Sequence, residues 1–266
     1  MTDMKQVAAD LTAEGEQLDA VVASLDADQW ALETPAPGWT IAHQIAHLSA
    51  TFRIAALAAA QPETFKALIG GMSDDFDANV ADALAPYLAD PATMLERWRG
   101  ERAGASQALE GMAPDQPVPW FVGHLNPVIL ASAGMMELFA HGQDIADTVG
   151  VEIERTDRIR YLATFGARNR DFGYLFRGLT PPDEEFRFEL VAPSGQTWTF
   201  GPPDSTQRIS GPAVDFCLLV TRRRHRDDLA LVAIGEEADR WLDIAQAYRG
   251  SPGPGRSPRQ FASLQR

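Results

Sequence analysis

Cysteine is almost missing from this chain. Cys217 is the single example, which excludes an internal disulfide framework. It falls in the apolar run 216–220 and reads as an inert core thiol. Basic residues are also scarce, 23 against 37 acidic, for a net charge of −14. That balance disfavours nonspecific binding to nucleic acid or to an anionic membrane. No run approaches the roughly eighteen apolar residues of a membrane span, and the alanine-rich stretch 54–60 is brief. The opening residues lead straight into an amphipathic pattern, without the apolar core or cleavage site of a secretory signal. The expectation is a cytoplasmic protein. Three common catalytic signatures are missing: the Walker-type glycine loop, Gly-x-Gly-x-x-Gly after a strand, and the Gly-x-Ser-x-Gly elbow. Tryptophans 39, 98, 120, 198 and 241 do not interleave with basic residues and read as core or pocket wall. One local exception to the basic deficit is Arg222-Arg223-Arg224-His225-Arg226, which suits either a solvated turn or an anion site.

What is present is a strong helical period in the first half. Val7, Leu11, Leu18, Val21, Val22 and Leu25 mark one helix over residues 5–25. A loop punctuated by Pro35, Pro37 and Gly38 follows, and Thr40 then caps a second helix running to about residue 60. Residues 61–90 are less regular. A third helix is expected over 91–110, then a Pro- and Gly-punctuated loop over 111–126. Asn126-Pro127 supplies an N-cap with proline at the first helical position, and Gly150 stops the fourth helix. The fold expected for residues 1–150 is an α-helical, up-and-down four-helix bundle. A bridging helix falls within 151–180. The period then changes to alternation around Pro193-Ser194-Gly195, a β-hairpin signal, and residues 181–250 read as a small α+β C-terminal domain. Residues 251–266, rich in Gly, Pro, Ser and Arg, read as a flexible tail.

Within the bundle, His47 lies on the second helix. Glu137 and His141, four apart, share one face of the fourth. Two imidazoles and a carboxylate from two helices would hold a divalent metal and leave a coordination position open. The spacing alone also fits a surface glutamate and two ordinary histidines. His43, four before His47, is a rival ligand, an auxiliary group or a general base; Gln44 stands where a zinc protease needs glutamate. Asp144 is placed to orient an imidazole from behind, or is an exposed carboxylate. His124, in the loop 120–126 together with Trp120, is a candidate substrate contact or an ordinary loop histidine.

At these residues the chain resembles a known family. The segment Pro37-Gly38-Trp39-Thr40 through Ala46-His47-Leu48 resembles the second helix of the DinB-like metal-binding bundle. It is more closely similar to the N-terminal domain of the mycothiol-dependent maleylpyruvate isomerase family of actinobacteria. The stretch 209–216, then Thr221-Arg222-Arg223, Gly235 and Trp241-Leu242 resemble that family's small C-terminal domain. Met136–Asp144, Asp215–Thr221 and Ala245–Ala247 are similar to a branch known only as metal-binding proteins. The resemblance implies that His47, Glu137 and His141 are the metal ligands, with zinc the first candidate and nickel, iron or manganese also compatible. It leaves His43 an auxiliary catalytic role. It further implies an arginine brought from the C-terminal domain, placed at Arg223, with Arg222 and Arg224 leaving the register open. The implied activity is isomerisation or S-transfer on a small anionic substrate, with mycothiol as the thiol cosubstrate and a monomer or homodimer as the working form. The sequence also accommodates a metal-water hydrolase, lyase or cyclase of secondary metabolism, and a non-catalytic metal- or small-molecule-binding protein. The stretch Gly123-His124-Leu125-Asn126-Pro127 departs from the relatives' Pro-Met-Ser-like segment.

Overall fold

The computed structural model describes residues 3–121 and 123–261. The chain divides into two compact units, 1–153 and 154–266.

The first unit is the expected four-helix bundle. Its long helices are α1 (Met4–Ala23), α3 (Ile41–Ala60), α6 (Pro91–Glu110) and α7 (Pro127–Val149). A short helix, α2 (Ala27–Trp30), follows α1. Each long helix begins on a side-chain cap that accepts one of the backbone N–H groups left unpaired there. Asp3 accepts from Lys5, Thr40 from His43, Asp90 from Thr93 and Asn126 from Ile129. Gly150 ends α7 in the left-handed region at φ 69°, where a side chain would be strained. α6 and α7 each pack against both α1 and α3. Leu11, Leu18, Ile45, Leu48, Trp98, Leu109, Leu138 and Phe139 fill the interior.

Two segments of this unit are more regular than their composition suggests. Residues 61–90 hold α4 (Pro62–Gly70), α5 (Phe76–Leu84) and a 3-10 turn, Ala85–Tyr87. Proline at the start of α4 and the Asp75 cap on Ala78 N set these short helices, and Phe65 anchors α4 in the core. The loop 111–126 contains a two-stranded hairpin, β1 (Val118–Trp120) and β2 (Gly123–Leu125), with Trp120 opposite Gly123.

The second unit starts with α8 (Arg160–Arg168) and α9 (Phe172–Leu175). Both fall within this unit. α8 packs on α10 (Ala213–Val220) so closely that a Cβ at Gly166 would meet Val220 and Phe216 at 3.0 and 3.1 Å. Four strands follow: β3 (Phe186–Val191), β4 (Thr197–Phe200), β5 (Gln207–Pro212) and β6 (Val232–Ile234), in the order β4-β3-β5-β6. β3 is antiparallel to β4 and parallel to β5, and β5 is antiparallel to β6. Along β3 the burial alternates, with Phe186, Phe188 and Leu190 inward and Arg187 and Glu189 outward, as the pleat requires. The final helix α11 (Glu236–Ile244) presents Trp241 to the same apolar layer. Cys217 is buried on α10, as a core thiol should be.

The C-terminal stretch 251–261 makes several contacts with the second unit. Phe261 is buried, with the Arg224 guanidinium 4.1 Å from its ring centre. The Arg259 N–H donates to the Asp228 carboxylate at 2.9 Å. Gln246 Nε2 donates to the carbonyls of Tyr248 and Gly250 at 3.0 Å. Low apolar content hid these anchors, because one aromatic and a few backbone hydrogen bonds carry them. The last part of that tail, 262–266, lies outside the described residues.

Gly201, just past β4, has φ 78°, and a Cβ there would land on the Phe186 carbonyl oxygen. Gly201→Ala is therefore expected to destabilise the second unit by about 2 kcal/mol or more. Denaturant unfolding followed by fluorescence measures it; an unchanged midpoint would contradict the assignment.

Candidate metal centre

Two helices carry the site. His47 sits in the second turn of α3, and Glu137 and His141 lie one turn apart on α7. The helical period brings the last two onto one face, and the packing of α3 on α7 sets His47 opposite them. Glu137 Oε2 lies 3.3 Å from His47 Nε2 and 3.1 Å from His141 Nε2. One donor atom from each of the three residues falls within 4.8 Å of the others. Metal–ligand bonds of about 2.0–2.1 Å at tetrahedral angles give donor–donor edges of about 3.3 Å. The two measured edges fit that figure. The donor chemistry fits as well, since two imidazoles and a carboxylate suit a borderline divalent ion.

The side chains of His47, Glu137 and His141 are 18%, 21% and 13% exposed. The cluster is therefore sheltered yet still reachable from solvent. Burial by itself pushes the Glu137 carboxyl up. The hydrogen bonds from His141 and His47, and their charge, overrule it and hold the carboxyl well below the ordinary carboxylate range. The ligand carboxylate is thus kept ionised.

The turn before α3 walls the cluster. Glu33 and Thr40 form a β-bridge, Thr34 N and Oγ1 both donate to the Trp39 carbonyl at 2.8 Å, and Gly38 takes φ 78°. This clamp lays the Trp39 ring parallel to the His141 imidazole at 5.8 Å and edge-on to His47 at 5.2 Å. Gln44, fully buried one turn before His47, places Oε1 on His141 Nδ1 and donates from Nε2 to Thr34 Oγ1 at 2.9 Å. Thr51 Oγ1, one turn after His47, is 3.4 Å from its Nε2.

His47, Glu137 and His141 are brought together. His43 closes a capping box on α3: its Nδ1 lies 2.7 Å from Thr40 Oγ1 and accepts from Thr40 N at 3.3 Å. Its sequence position at the third residue of the helix is a capping position, which accounts for this use. Asp144 is fully buried on α7. Trp120 stacks on Phe65 at 5.7 Å, and His124 is exposed on β2. Arg223, in the second unit, donates from Nη1 to the Thr221 carbonyl at 2.6 Å. Its neighbours Arg222, Arg224, His225 and Arg226 line a cavity of about 150 Å³, as does Arg256. Gln44, Thr34 and Thr51 escaped the sequence reading. The available signal was a glutamine on the otherwise apolar face of α3, at helical spacing from His47.

Comparison with known proteins places these features. The family model described as mycothiol maleylpyruvate isomerase N-terminal domain matches residues 11–146. A second model, described as wyosine base formation, matches residues 182–233. Uncharacterized proteins from two strains of Mycobacterium tuberculosis are each 45% identical over 257 residues, covering 96% of this chain and 100% of theirs. The crystal structure of the mycothiol-dependent maleylpyruvate isomerase superposes with TM-score 0.54 at 14% identity, covering 88% of this chain and 95% of that one. A histidine-to-alanine mutant of that isomerase gives TM-score 0.52 at 15% identity, covering 82% and 91%. At such identities these structures support the fold. No helix among the described residues is long and apolar enough to cross a membrane.

Proposed function

Because this chain belongs to the mycothiol maleylpyruvate isomerase N-terminal domain family, we propose that it is a divalent-metal-dependent enzyme using a low-molecular-weight thiol. Mycothiol is the thiol that the family's name supports, and isomerisation or S-transfer on a small anionic substrate is the reaction class. The observation that carries the reading is the convergence of His47, Glu137 and His141 with the spacing of a coordination shell.

These three residues would hold the ion, with zinc the first candidate. A metal bound there lowers the pKa of a coordinating thiol and so supplies thiolate at neutral pH. The other groups are assigned by their chemistry. Trp39 covers one side of both imidazoles and excludes water from that side. The Thr51 hydroxyl, beside His47, offers a donor to a bound polar group. His43 has Nδ1 committed to the cap, so Nε2 is the atom with which it would move a proton. His124 and Trp120, on the hairpin, are the proposed substrate contacts. Arg223 is the proposed grip on a substrate carboxylate, through paired charge-assisted hydrogen bonds.

In isomerisation, the thiolate sulfur bonds to one carbon of an alkene conjugated to a carbonyl. The remaining single bond rotates, the S–C bond breaks, and the thiol returns unchanged with no net redox. In S-transfer the S–C bond stays, and the leaving group departs with its electron pair.

Cobalt-substituted protein tests the thiol assignment. Titration with mycothiol is expected to raise a sulfur-to-cobalt charge-transfer band in the near ultraviolet. If the band is still missing at saturating thiol, direct coordination is wrong and turnover without thiol becomes the reading to pursue.

A further inference from the structure

Four hydrogen bonds behind the metal centre determine how one ligand presents itself. The Thr34 hydroxyl has one proton, and it is donated to the Trp39 carbonyl at 2.8 Å. Toward Gln44 the Thr34 oxygen can therefore only accept, at 2.9 Å. The group facing Thr34 must then be the Gln44 amide NH2, and the group facing His141 must be its carbonyl oxygen. A carbonyl has no proton to give, so the imidazole contributes the proton at Nδ1. In the neutral imidazole that a metal requires, Nε2, the nitrogen beside Glu137, is then the one with a lone pair for a cation in the cluster. The Ala36 N–H also donates to Thr34 Oγ1, at 3.3 Å, which further fills the acceptor side of that oxygen.

We propose that Gln44 is a positioning residue for the metal, oriented by Thr34, and that the Thr34–Trp39 turn sets which nitrogen of His141 is offered as ligand. The inference rests on the metal-centre reading above and deepens it. Gln44 and Thr34 are both buried, so water does not compete for either end of the chain of bonds. The turn does two jobs through one clamp. Its Trp39 ring lies on the His141 face, while its Thr34 hydroxyl, by way of Gln44, fixes the edge of the same imidazole. Loss of the hydroxyl would release the Gln44 amide to rotate by half a turn. An NH2 group would then face Nδ1 and favour the tautomer whose lone pair points away from the cluster.

The test compares Gln44→Leu, Gln44→Glu, Thr34→Val and Thr34→Ser with the wild-type protein, in zinc competition against a chromophoric chelator and in the visible spectrum of the cobalt form. Removing a group that holds a ligating histidine weakens metal binding by about 10- to 100-fold. Gln44→Leu is expected to show that loss and a shifted cobalt d–d envelope. Gln44→Glu keeps an acceptor facing Nδ1 but sets a second acceptor against the Thr34 oxygen, and is expected to fall between wild type and Gln44→Leu. Thr34→Ser keeps the hydroxyl and should also bind as wild type, whereas Thr34→Val should weaken binding despite its nearly identical shape. In 15N-histidine spectra of the zinc form, a slowly exchanging Nδ1 proton is expected in wild type and not in Gln44→Leu. The threonine pair carries the test should Gln44→Leu fail to fold. Wild-type protein that takes up no metal would end both the metal-centre reading and this inference. Wild-type protein that binds metal, with Gln44→Leu or Thr34→Val binding as tightly and giving the same cobalt spectrum, overturns this inference alone.

Discussion

Glu137→Gln is expected to lower metal affinity by two to three powers of ten while leaving the helical bundle intact. The substitution keeps the side chain's shape and removes its charge, so packing on α7 is preserved. What it removes is the anionic donor that lies 3.3 and 3.1 Å from the two imidazoles. Structural zinc sites contribute about 10–16 kcal/mol in total over four ligands. One ligand then accounts for roughly 3–4 kcal/mol, which corresponds to two to three powers of ten in the dissociation constant. The carboxylate is also the group that the imidazoles keep ionised against its burial, so an amide cannot recover the interaction by exchanging protons. Calorimetric titration with zinc reads the affinity directly. A thermal-shift measurement gives an independent signal, because metal that binds only the folded state raises the melting temperature, and more so the further its concentration exceeds the dissociation constant. Wild type should be stabilised by added zinc and Glu137→Gln should respond little. Equal affinities for the two proteins would show that Glu137 is not a ligand. The reading would then have to rebuild the site around the two histidines alone.

The bundle was legible because its signals are local and redundant. Thr40, Asn126-Pro127 and Gly150 mark helix ends by chemistry that needs no partner, and the apolar period of α1 and α7 does not depend on distant residues. The strands of the second unit were readable for the same reason, since Phe186, Phe188 and Leu190 alternate inward on β3. α4 and α5 were harder to read because each runs for only nine residues, about two turns, and depends on caps more than on a long period. The contacts of the C-terminal stretch were not legible, because Phe261 and the Asp228–Arg259 hydrogen bond are single anchors in a stretch poor in apolar residues. At the site, a pair four apart on one helix is visible in a sequence, and so is a histidine on another. That Gln44 touches His141 depends on the rotation of α3 against α7, which no spacing within α3 encodes. His43 illustrates the reverse. Its place next to His47 suggested chemistry, and its place three residues after Thr40 gave it a structural task.

Trp241→Ala is expected to separate the two units' contributions, destabilising the second while sparing the metal. Trp241 is fully buried. It meets Phe186 and Phe188 edge-on at 6.1 and 5.7 Å and Phe216 in a stack at 6.2 Å. Its Nε1–H donates to the Arg170 carbonyl at 2.9 Å, which ties α11 to the segment between α8 and α9. Truncation of a core tryptophan costs about 3–5 kcal/mol, and here it also removes the shorter of two hydrogen bonds to the Arg170 carbonyl, which keeps the one from Gly173 N at 3.3 Å. Little room exists for collapse, because a Cβ on Gly173 would already touch the Ile244 carbonyl at 2.6 Å. Urea unfolding should therefore show the transition of the second unit moved to lower denaturant. Zinc affinity should not change, since His47, Glu137 and His141 all belong to the first unit. The same variant examines the role proposed for Arg223. That residue follows α10, whose Phe216 stacks against Trp241, so loosening this core loosens the support of the arginine. Loss of turnover at full metal occupancy would support Arg223 as the carboxylate grip, and Arg223→Ala should reproduce it without the shift in stability. Wild-type turnover in Arg223→Ala would remove that residue from the mechanism.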